Sequence, residues 1–349
     1  MNNRSSDFQN TPSAGHIYVN GYGFVNVDPR FQQERSIRKN AAVTGLALTE
    51  ILVLSLVCPY LGALFLRGIL SVFNLSGNYA AVQALTEVRE IISYLLSMGI
   101  PLVTATAILR PQRGSISLRR APANGRMLSY SILAALAVST LMGLVSSFTE
   151  RIFANFHILE LTPDYLLPST SLALLLYLIR LSVLPALFEE FLFRGVLLRS
   201  LRQFGDAFAL ITSSVAFGLI HYSITKDMSG FVLGLILGYY VIRTGSVYTA
   251  VISRFLSLLV PLCLRLLQHI APHAVYQVAE YSVYALILAV AIGVFILICR
   301  KEGNAFILSS SHTEVRISRK LLVYFLNAPM VLASVLWIGQ ILRHIHFIG

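Results

Sequence analysis

Residues 185–195 read Pro-Ala-Leu-Phe-Glu-Glu-Phe-Leu-Phe-Arg-Gly and place two carboxylates and a guanidinium at the predicted cytoplasmic end of a long apolar stretch. A charge inside a lipid bilayer costs at least a few kcal/mol, so ionisable residues in such a stretch are candidates for a functional site. Glu190 and Arg194 are four residues apart on the predicted helix, in the order that favours an ion pair. Glu189 points about 100° away from Glu190 and is predicted to face a different partner in the bundle. The alternative is an interfacial helix end, at which these side chains extend to water.

The composition of the whole chain indicates a membrane protein. Of its 349 residues, 56% are hydrophobic and 12% are charged, against about 25% charged residues in ordinary soluble domains. Too few polar residues are present to cover a globular surface, which excludes a soluble domain, a disordered chain, a collagen and a nucleic-acid-binding module. The net charge of +11 comes from basic residues in short segments between apolar runs, as is typical of membrane proteins. Membrane lipid is therefore a predicted partner, and nucleic acid is not.

The lengths of the apolar runs predict how many helices cross the membrane. A bilayer core of about 30 Å needs about 20 apolar residues per helix, and continuous apolar runs lack the alternating pattern of a β-barrel. We therefore predict an all-α, polytopic membrane helix bundle with about eight or nine transmembrane helices. The fifth and sixth runs are short and share a polar turn. The predicted spans cover residues 41–66, 89–109, 128–148, 169–191, 207–223, 229–243, 246–268, 280–299 and 321–343.

The distribution of Lys and Arg predicts the orientation of this bundle. Five basic segments fall on one side when the spans alternate, and the loops on the other side carry little net charge. The preference of basic loops for the inner side then predicts a cytoplasmic N-terminus and an external C-terminus. Residues 1–40 are polar and lack the apolar core of a signal peptide, which predicts a partly disordered cytoplasmic tail. Residues 41–349 are predicted to form one integral membrane domain.

A second pair of chemistry-bearing residues follows in the next apolar run. Phe217 and His221 are four residues apart, so they lie one turn apart on the same face of a helix. A carboxylate and an imidazole on neighbouring helices can hold a water molecule or a metal ion between them and generate a nucleophile for hydrolysis. Glu189 and His221 are therefore candidates for such a pair. The alternative is a histidine that only packs and forms a hydrogen bond at a helix end.

Two short patterns in these runs are shared with a known family. The pattern EExxxR is matched by Glu189, Glu190 and Arg194, and the pattern FxxxH by Phe217 and His221. In this order and within apolar helices, they make the chain resemble the CPBP intramembrane proteases, the CAAX-protease and bacteriocin-processing group that is also called Abi. The similarity continues through residues 231–246, and the similar core covers about residues 170–270.

The third motif of that family is not matched. The family has a His and, four residues later, an Asn in the helix after a Gly-Ser turn, and these positions fall at about Arg254 and Leu258. Residues 246–268 contain neither His nor Asn. Arg254 stays protonated, so it cannot act as a base or bind a metal ion. It could pair with Glu189 and weaken that carboxylate as a base, or it could stabilise an oxyanion.

The resemblance implies an intramembrane endopeptidase that hydrolyses a peptide bond near the cytoplasmic membrane face. Glu189 and His221 would activate the water molecule, Glu190 and Arg194 would support them, and Phe217 belongs to the second motif. Metal ligation in the family is debated, so the predicted cofactor is either none or a divalent metal ion such as zinc held by Glu189 and His221. The implied substrate is a peptide or a membrane protein, and the implied location is the plasma membrane of a bacterium.

The departure at Arg254 and Leu258 favours a second hypothesis, in which a catalytically inactive relative binds a peptide or a partner protein as an immunity protein or a scaffold. A third hypothesis, a small transporter, predicts polar residues spread over several broken helices, whereas here they concentrate near one helix end. Outside the motifs, Arg180 lies in mid-helix. It is predicted either to pair with an acidic residue of another helix, such as Glu50, or to line a polar cavity.

Overall fold

Long helices make up most of this computed structural model. The structure describes residues 16–19, 23–26, 28–110, 125–160, 167–301, 308 and 315–347. The helices are α1 (Pro29–Val72), α2 (Tyr79–Leu109), α3 (Gly125–Asn155), α4 (Ser171–Phe204), α5 (Asp206–Gly218), α6 (Ile224–Thr244), α7 (Val247–Ile270), α8 (His273–Lys301), α9 (Ile317–Phe325) and α10 (Ala328–His344). Two short antiparallel strand pairs are β1 (His16–Val19) with β2 (Gly23–Asn26) and β3 (Ile158–Glu160) with β4 (Ile345–Phe347).

The predicted helical, polytopic membrane bundle is confirmed. Among the described residues, α1, α2, α3, α4, α7 and α8 are long and apolar enough to cross a membrane, and α9 with α10, bent by 66°, makes a seventh if the pair is one span. The eight or nine predicted spans are thereby reduced to six or seven. The predicted fifth span becomes α5, which has 13 residues and a length of about 20 Å, short of the bilayer core. The predicted sixth span becomes α6, which has charged residues near both ends. It is therefore not among the helices that are apolar enough to cross a membrane.

Two helices begin earlier than the apolar runs predicted. Asp28 caps the start of α1, which has a proline at its first position, Pro29, as is favourable there. The last twelve residues of the predicted tail are therefore helical, while 1–15, 20–22 and 27 lie outside the described residues. The side chain of Asn78 likewise caps α2, ten residues before the predicted span. Glu87, which falls between the predicted spans 41–66 and 89–109, consequently lies inside α2.

Helix α4 continues well past residue 191, where the predicted span ended. Its turns widen into a π-helix twice, over Ile179–Val183 and over Phe191–Leu198. The first widening precedes Pro185, which has no N–H group to continue the α pattern. Segments of π-helix inside an α-helix are frequent at functional sites. Here the two π segments flank the α-helical segment Leu184–Glu190, which carries both motif glutamates.

The core that surrounds the motif residues is formed by side chains of α1, α4, α5, α6 and α7, with contributions from α2, α3, α9 and α10. Helix α8 lies at the periphery, because none of its apolar window is buried in the protein. The start of α9 is fixed to the start of α1, where Arg319 pairs with Glu34, and β3 with β4 joins the end of α3 to the end of α10. Which face of the bundle is cytoplasmic stays a prediction.

Candidate functional site

Glu189 lies at the centre of the site and is held by two other helices. Its Oε2 accepts a hydrogen bond from Nη2 of Arg254 on α7 at 3.0 Å, and this contact is also an ion pair between two buried side chains. Its Oε1 accepts a hydrogen bond from the hydroxyl of Tyr94 on α2 at 3.2 Å. The ion pair with Glu189, one of the two possibilities predicted for Arg254, is therefore present in the structure.

The position of Glu189 along its helix differs from the sequence prediction. The residue was placed at the cytoplasmic end of an apolar helix, but α4 extends from Ser171 to Phe204. At 1.5 Å per residue, Glu189 lies about 27 Å from the first residue of α4 and about 23 Å from the last. The placement at a helix end was wrong because the π segments carry the helix onward. The alternative in which these side chains extend to water was also wrong, because Glu189, Glu190 and Arg194 are buried in the bundle.

Glu190 and Arg194 form the ion pair that their spacing predicts. Nη1 of Arg194 donates to Oε1 of Glu190 at 3.1 Å, and Nε lies 3.1 Å from Oε2. Glu190 is fully buried, and Arg194 is 1% exposed. A buried pair with two contacts of this kind fixes side-chain geometry. The two carboxylates of the first motif consequently serve different partners, as predicted.

The ring of Phe217 contacts two arginines, Arg194 of the first motif and Arg254 at the third-motif position. The guanidinium of Arg194 lies 4.2 Å from the centroid of the Phe217 ring, and that of Arg254 lies 5.3 Å from it. Both distances are within the range of cation–π contacts. The ring also packs edge-on against His221 at 5.5 Å between centroids. The aromatic residue of the second motif is thus a packing platform for the charged groups around it.

His221 lies in the tight turn between α5 and α6. Its Nδ1 is 3.1 Å from the carbonyl oxygen of Gly218, and the next residue, Tyr222, has a φ of 52°, which is uncommon for a bulky residue. The turn lays the imidazole on Gly230 of α6, where a Cβ atom would come within 2.9 Å of the ring. Among the described hydrogen bonds, none joins His221 to Glu189.

His221 and Arg254 line the same pocket, which has a volume of about 280 Å³. Leu258, at the position of the missing asparagine, lines it as well. The remaining lining residues come from α3, α6 and α7, with Lys226 among them. Arg254 therefore connects the two sets of predicted site residues, since it pairs with Glu189 and lines the pocket together with His221 and Leu258.

A metal ion at Glu189 and His221 does not fit the described residues. They contain no group of three or more His, Cys, Asp and Glu side chains that could hold one. In addition, Oε2 of Glu189 is already paired with the guanidinium of Arg254, whose positive charge disfavours a second cation there. The predicted zinc or other divalent ion stays a prediction.

Two further contacts near the site were not predicted. Tyr94 gives no local signal, because a tyrosine in an apolar helix usually packs or lies at the membrane interface. Arg180 does form an ion pair, but its partner is Glu87, with 2.9 Å between Nε and Oε2. The suggested partner, Glu50, was wrong, since its carboxylate accepts a hydrogen bond from Thr104. The capping residue Asn78 could have indicated from the sequence that a helix begins before Glu87.

Comparison with known proteins identifies the segment that carries the site. Residues 170–260 match the family model described as "Type II CAAX prenyl endopeptidase Rce1-like". No curated protein and no solved structure matches the chain. The matched segment contains both complete motifs and extends through Arg254 and Leu258. The resemblance to the CPBP family is therefore confirmed by an Rce1-like match over residues 170–260 of this multi-pass membrane protein.

Proposed function

We propose that this chain is a bacterial plasma-membrane protein of the CAAX-protease type that binds a peptide or a membrane-protein segment without hydrolysing it. The observation that carries the proposal is the ion pair between Arg254 and Glu189, with 3.0 Å between Nη2 and Oε2. By the family resemblance, Arg254 stands where the third-motif histidine is expected. Leu258 stands where the asparagine is expected.

The ion pair opposes the water activation that hydrolysis needs. A general base must have an oxygen within hydrogen-bonding distance of the water whose proton it takes. Each oxygen of Glu189 already accepts one hydrogen bond, from Arg254 and from Tyr94, so a water molecule has to compete with two donors for this carboxylate. Arg254 cannot accept the proton itself, because a guanidinium stays protonated. Leu258 offers no donor to a developing oxyanion, which in hydrolytic enzymes is usually a large stabilising contribution.

Burial makes this arrangement costly to open. Both side chains are at most one tenth exposed, and removing one partner of a buried ion pair costs about 3–5 kcal/mol, because the other charge is left uncompensated. A catalytic cycle that needs Glu189 free of Arg254 would begin from that unfavourable state. The pocket beside the ion pair still has room for a ligand. The site can therefore bind a peptide without hydrolysing it.

The second candidate is the intramembrane endopeptidase itself. A specific observation favours it, since His221 and Arg254 line one pocket while the first and second motifs are complete. In that case Glu189 and His221 would activate water, and Arg254 would stabilise the oxyanion instead of neutralising the carboxylate. Glu190 and Arg194 would hold the helix segment in place.

Cleavage and capture of membrane-inserted peptides distinguish the two candidates. We would reconstitute the purified full-length protein in nanodiscs with a peptide library that carries a photoreactive cross-linker. The variants are Glu189→Ala and the double change Arg254→His with Leu258→Asn. Arg243→His, an exposed arginine at the end of α6, is the matched control for the loss of an arginine.

The proposal predicts that wild type and Arg243→His cross-link to peptides but release no cleavage product. Glu189→Ala should likewise yield no product. Product formation by the double change alone would support the proposal, because it would show that the two replaced positions suffice to silence the site. Cleavage by wild type that disappears in Glu189→Ala would overturn the proposal in favour of the endopeptidase. Absence of any cross-linked peptide would overturn the binding role.

A further inference from the structure

A second pocket, the α1–α2 groove, lies outside the residues that match the family model. It is lined by side chains from residues 58–69 of α1 and 85–96 of α2 and has a volume of about 320 Å³, within the range of about 300 to 1,000 Å³ that is usual for ligand pockets. Because both helices are long and apolar enough to cross a membrane, the groove opens toward lipid. Five apolar residues of its lining are exposed, namely Leu61, Phe65, Val88, Ile92 and Leu96.

Arg89 is the charged residue in the described lining of the α1–α2 groove. Its Nη2 pairs with Oε1 of the adjacent Glu90, so the two side chains balance each other's charge. Its Nε is buried, and no acceptor in the described part of the chain forms a hydrogen bond with it. Inside a bilayer no water is available to such a group, so its acceptor must come from the protein or from a ligand. The buried N–H group of Arg89 therefore indicates a missing polar partner.

Gly62 of α1 allows the side chain of Arg89 to lie between the two helices. A Cβ atom at Gly62 would come within 2.9 Å of Cγ of Arg89 and within 3.5 Å of Oγ of Ser93. A larger residue at this position would consequently displace the arginine, because protein interiors leave little spare space. The glycine thus keeps the arginine beside the apolar lining of the groove.

The position of Arg89 along α2 corresponds to the edge of the hydrocarbon core. The residues from Ile91 to Leu109 carry no charge, and a helix of this length spans about 28 Å, close to the bilayer core of about 30 Å. Arg89 and Glu90 directly precede this stretch. The ester groups of phospholipids lie at the same boundary between headgroups and hydrocarbon, so a lipid ester would reach the depth of Arg89.

We propose that the α1–α2 groove binds one acyl chain of a diacyl phospholipid, whose ester carbonyl accepts a hydrogen bond from Nε of Arg89. The chain lies against Leu61 of α1 and against Ile92 and Leu96 of α2. Because Glu90 already balances the charge of Arg89, the expected partner is a neutral carbonyl oxygen and not a phosphate. The groove lies outside residues 170–260, so this lipid site goes beyond the proposed function and does not depend on it.

Diester and diether lipids with the same chains and headgroup test the carbonyl contact. The purified full-length protein in detergent micelles would be titrated with dioleoyl phosphatidylcholine and with its diether analogue, and native mass spectrometry would count the bound lipids. Because hydrogen bonds that involve a charged group are among the stronger ones, the diester is expected to bind about tenfold more tightly. Dioleoyl phosphatidylglycerol should bind like dioleoyl phosphatidylcholine, since the recognised group is the ester and not the headgroup.

Arg89→Met removes the donor and keeps an apolar side chain in the groove. This variant should bind the diester and the diether equally. Arg67→Met is the control, because it removes an exposed arginine of α1, and it should keep the tenfold preference for the diester. Thermal unfolding would verify that both variants are folded.

Gly62→Leu tests the location of the lipid without changing the arginine. Its side chain would fill the space beside Arg89 and should lower the affinity for the diester by about tenfold, as expected when that hydrogen bond is lost. Gly68→Leu is the matched control, because a Cβ atom there meets nothing within 4 Å, and its affinity should equal that of wild type. This comparison decides the location even if Arg89→Met does not fold.

Four results would overturn the inference. Equal affinity of wild type for diester and diether would exclude the carbonyl contact, and a preference that persists in Arg89→Met would assign that contact to another residue. Equal affinities of Gly62→Leu and Gly68→Leu would place the lipid outside the α1–α2 groove. A preference for phosphatidylglycerol that disappears in Arg89→Met would show that Arg89 recognises a phosphate or another anionic group instead of the ester.

Discussion

Arg180 of α4 and Glu87 of α2 form a buried ion pair, with 2.9 Å between the guanidinium Nε and the carboxylate Oε2. Both side chains are less than one tenth exposed. The same two helices meet again at the site, where Tyr94 of α2 donates to Glu189 of α4. Glu87 and Tyr94 are two turns apart and so share one face of α2. The ion pair between Arg180 and Glu87 therefore helps to position α2, which carries the Tyr94 hydroxyl that contacts Glu189.

Glu87→Gln is expected to lower the free energy of unfolding by about 3–5 kcal/mol, because it leaves the buried guanidinium of Arg180 without its counter-charge. Equilibrium unfolding of the purified protein in detergent micelles measures this. Arg319→Gln is the control, since it removes an arginine from an exposed ion pair with Glu34, where the effect should be much smaller. Similar losses in the two variants would contradict a special role for burial.

The bonds between Arg254 and Glu189 can be measured with a double-mutant cycle. Glu189→Gln and Arg254→Gln should each destabilise the protein by about 3–5 kcal/mol, because each leaves one buried charge without a partner. The double change removes both charges, so its cost should fall below the sum of the single costs by about 0.5–3 kcal/mol. Unfolding in detergent micelles measures all three variants.

A second cycle serves as the control for this coupling. Arg319→Gln combined with Arg254→Gln changes residues that bind unrelated partners, so their effects should add to within about 0.5 kcal/mol. Additive effects of Glu189→Gln and Arg254→Gln would show that the ion pair does not form in the folded protein. The proposed silencing of the site would then lose its physical basis.

Much of the fold and the composition of the site followed from local patterns in the sequence. Apolar runs longer than the bilayer core located the long helices, and the i, i+4 spacing of Glu190 and Arg194 predicted their ion pair. The helix starts at Pro29 and Tyr79 were missed although the capping residues before them were readable. The span count failed at α5, because a run of apolar residues does not show where a tight turn ends the helix.

The contacts between distant parts of the chain could not be predicted in the same way. An acidic partner was predicted for Arg180, but the sequence did not show whether this partner is Glu50 or Glu87. Only the packing of α2 on α4 decides between them. For Arg254 the sequence left two roles open, an ion pair and an oxyanion donor, since the direction of a side chain depends on how α7 rotates against α4. For Tyr94, the nearby polar residues Ser93 and Ser97 gave no indication of a contact with Glu189.

Tyr94→Phe is expected to lower the free energy of unfolding by about 1.5–3 kcal/mol, because it removes a hydrogen bond to a charged, buried carboxylate while keeping the ring. Tyr60→Phe is the control, since Tyr60 lies on α1 with 67% of its surface exposed. Thermal unfolding of both variants, compared with wild type, measures the difference. A loss in Tyr94→Phe no larger than that in Tyr60→Phe would show that the hydroxyl does not hold Glu189.

Gly230→Ala tests whether the close approach of α5 and α6 positions His221. A Cβ atom at this position would lie 2.9 Å from Cε1 of His221 and 3.2 Å from Cα of Gly218, so the imidazole or the helices must move. Overpacking of this kind costs about 1–3 kcal/mol. Gly293→Ala is the matched control, because a Cβ atom there meets nothing within 4 Å and alanine favours the helix. Gly293→Ala should therefore be neutral or stabilising in thermal unfolding. A Gly230→Ala variant as stable as this control would show that α5 and α6 do not approach closely enough to fix His221.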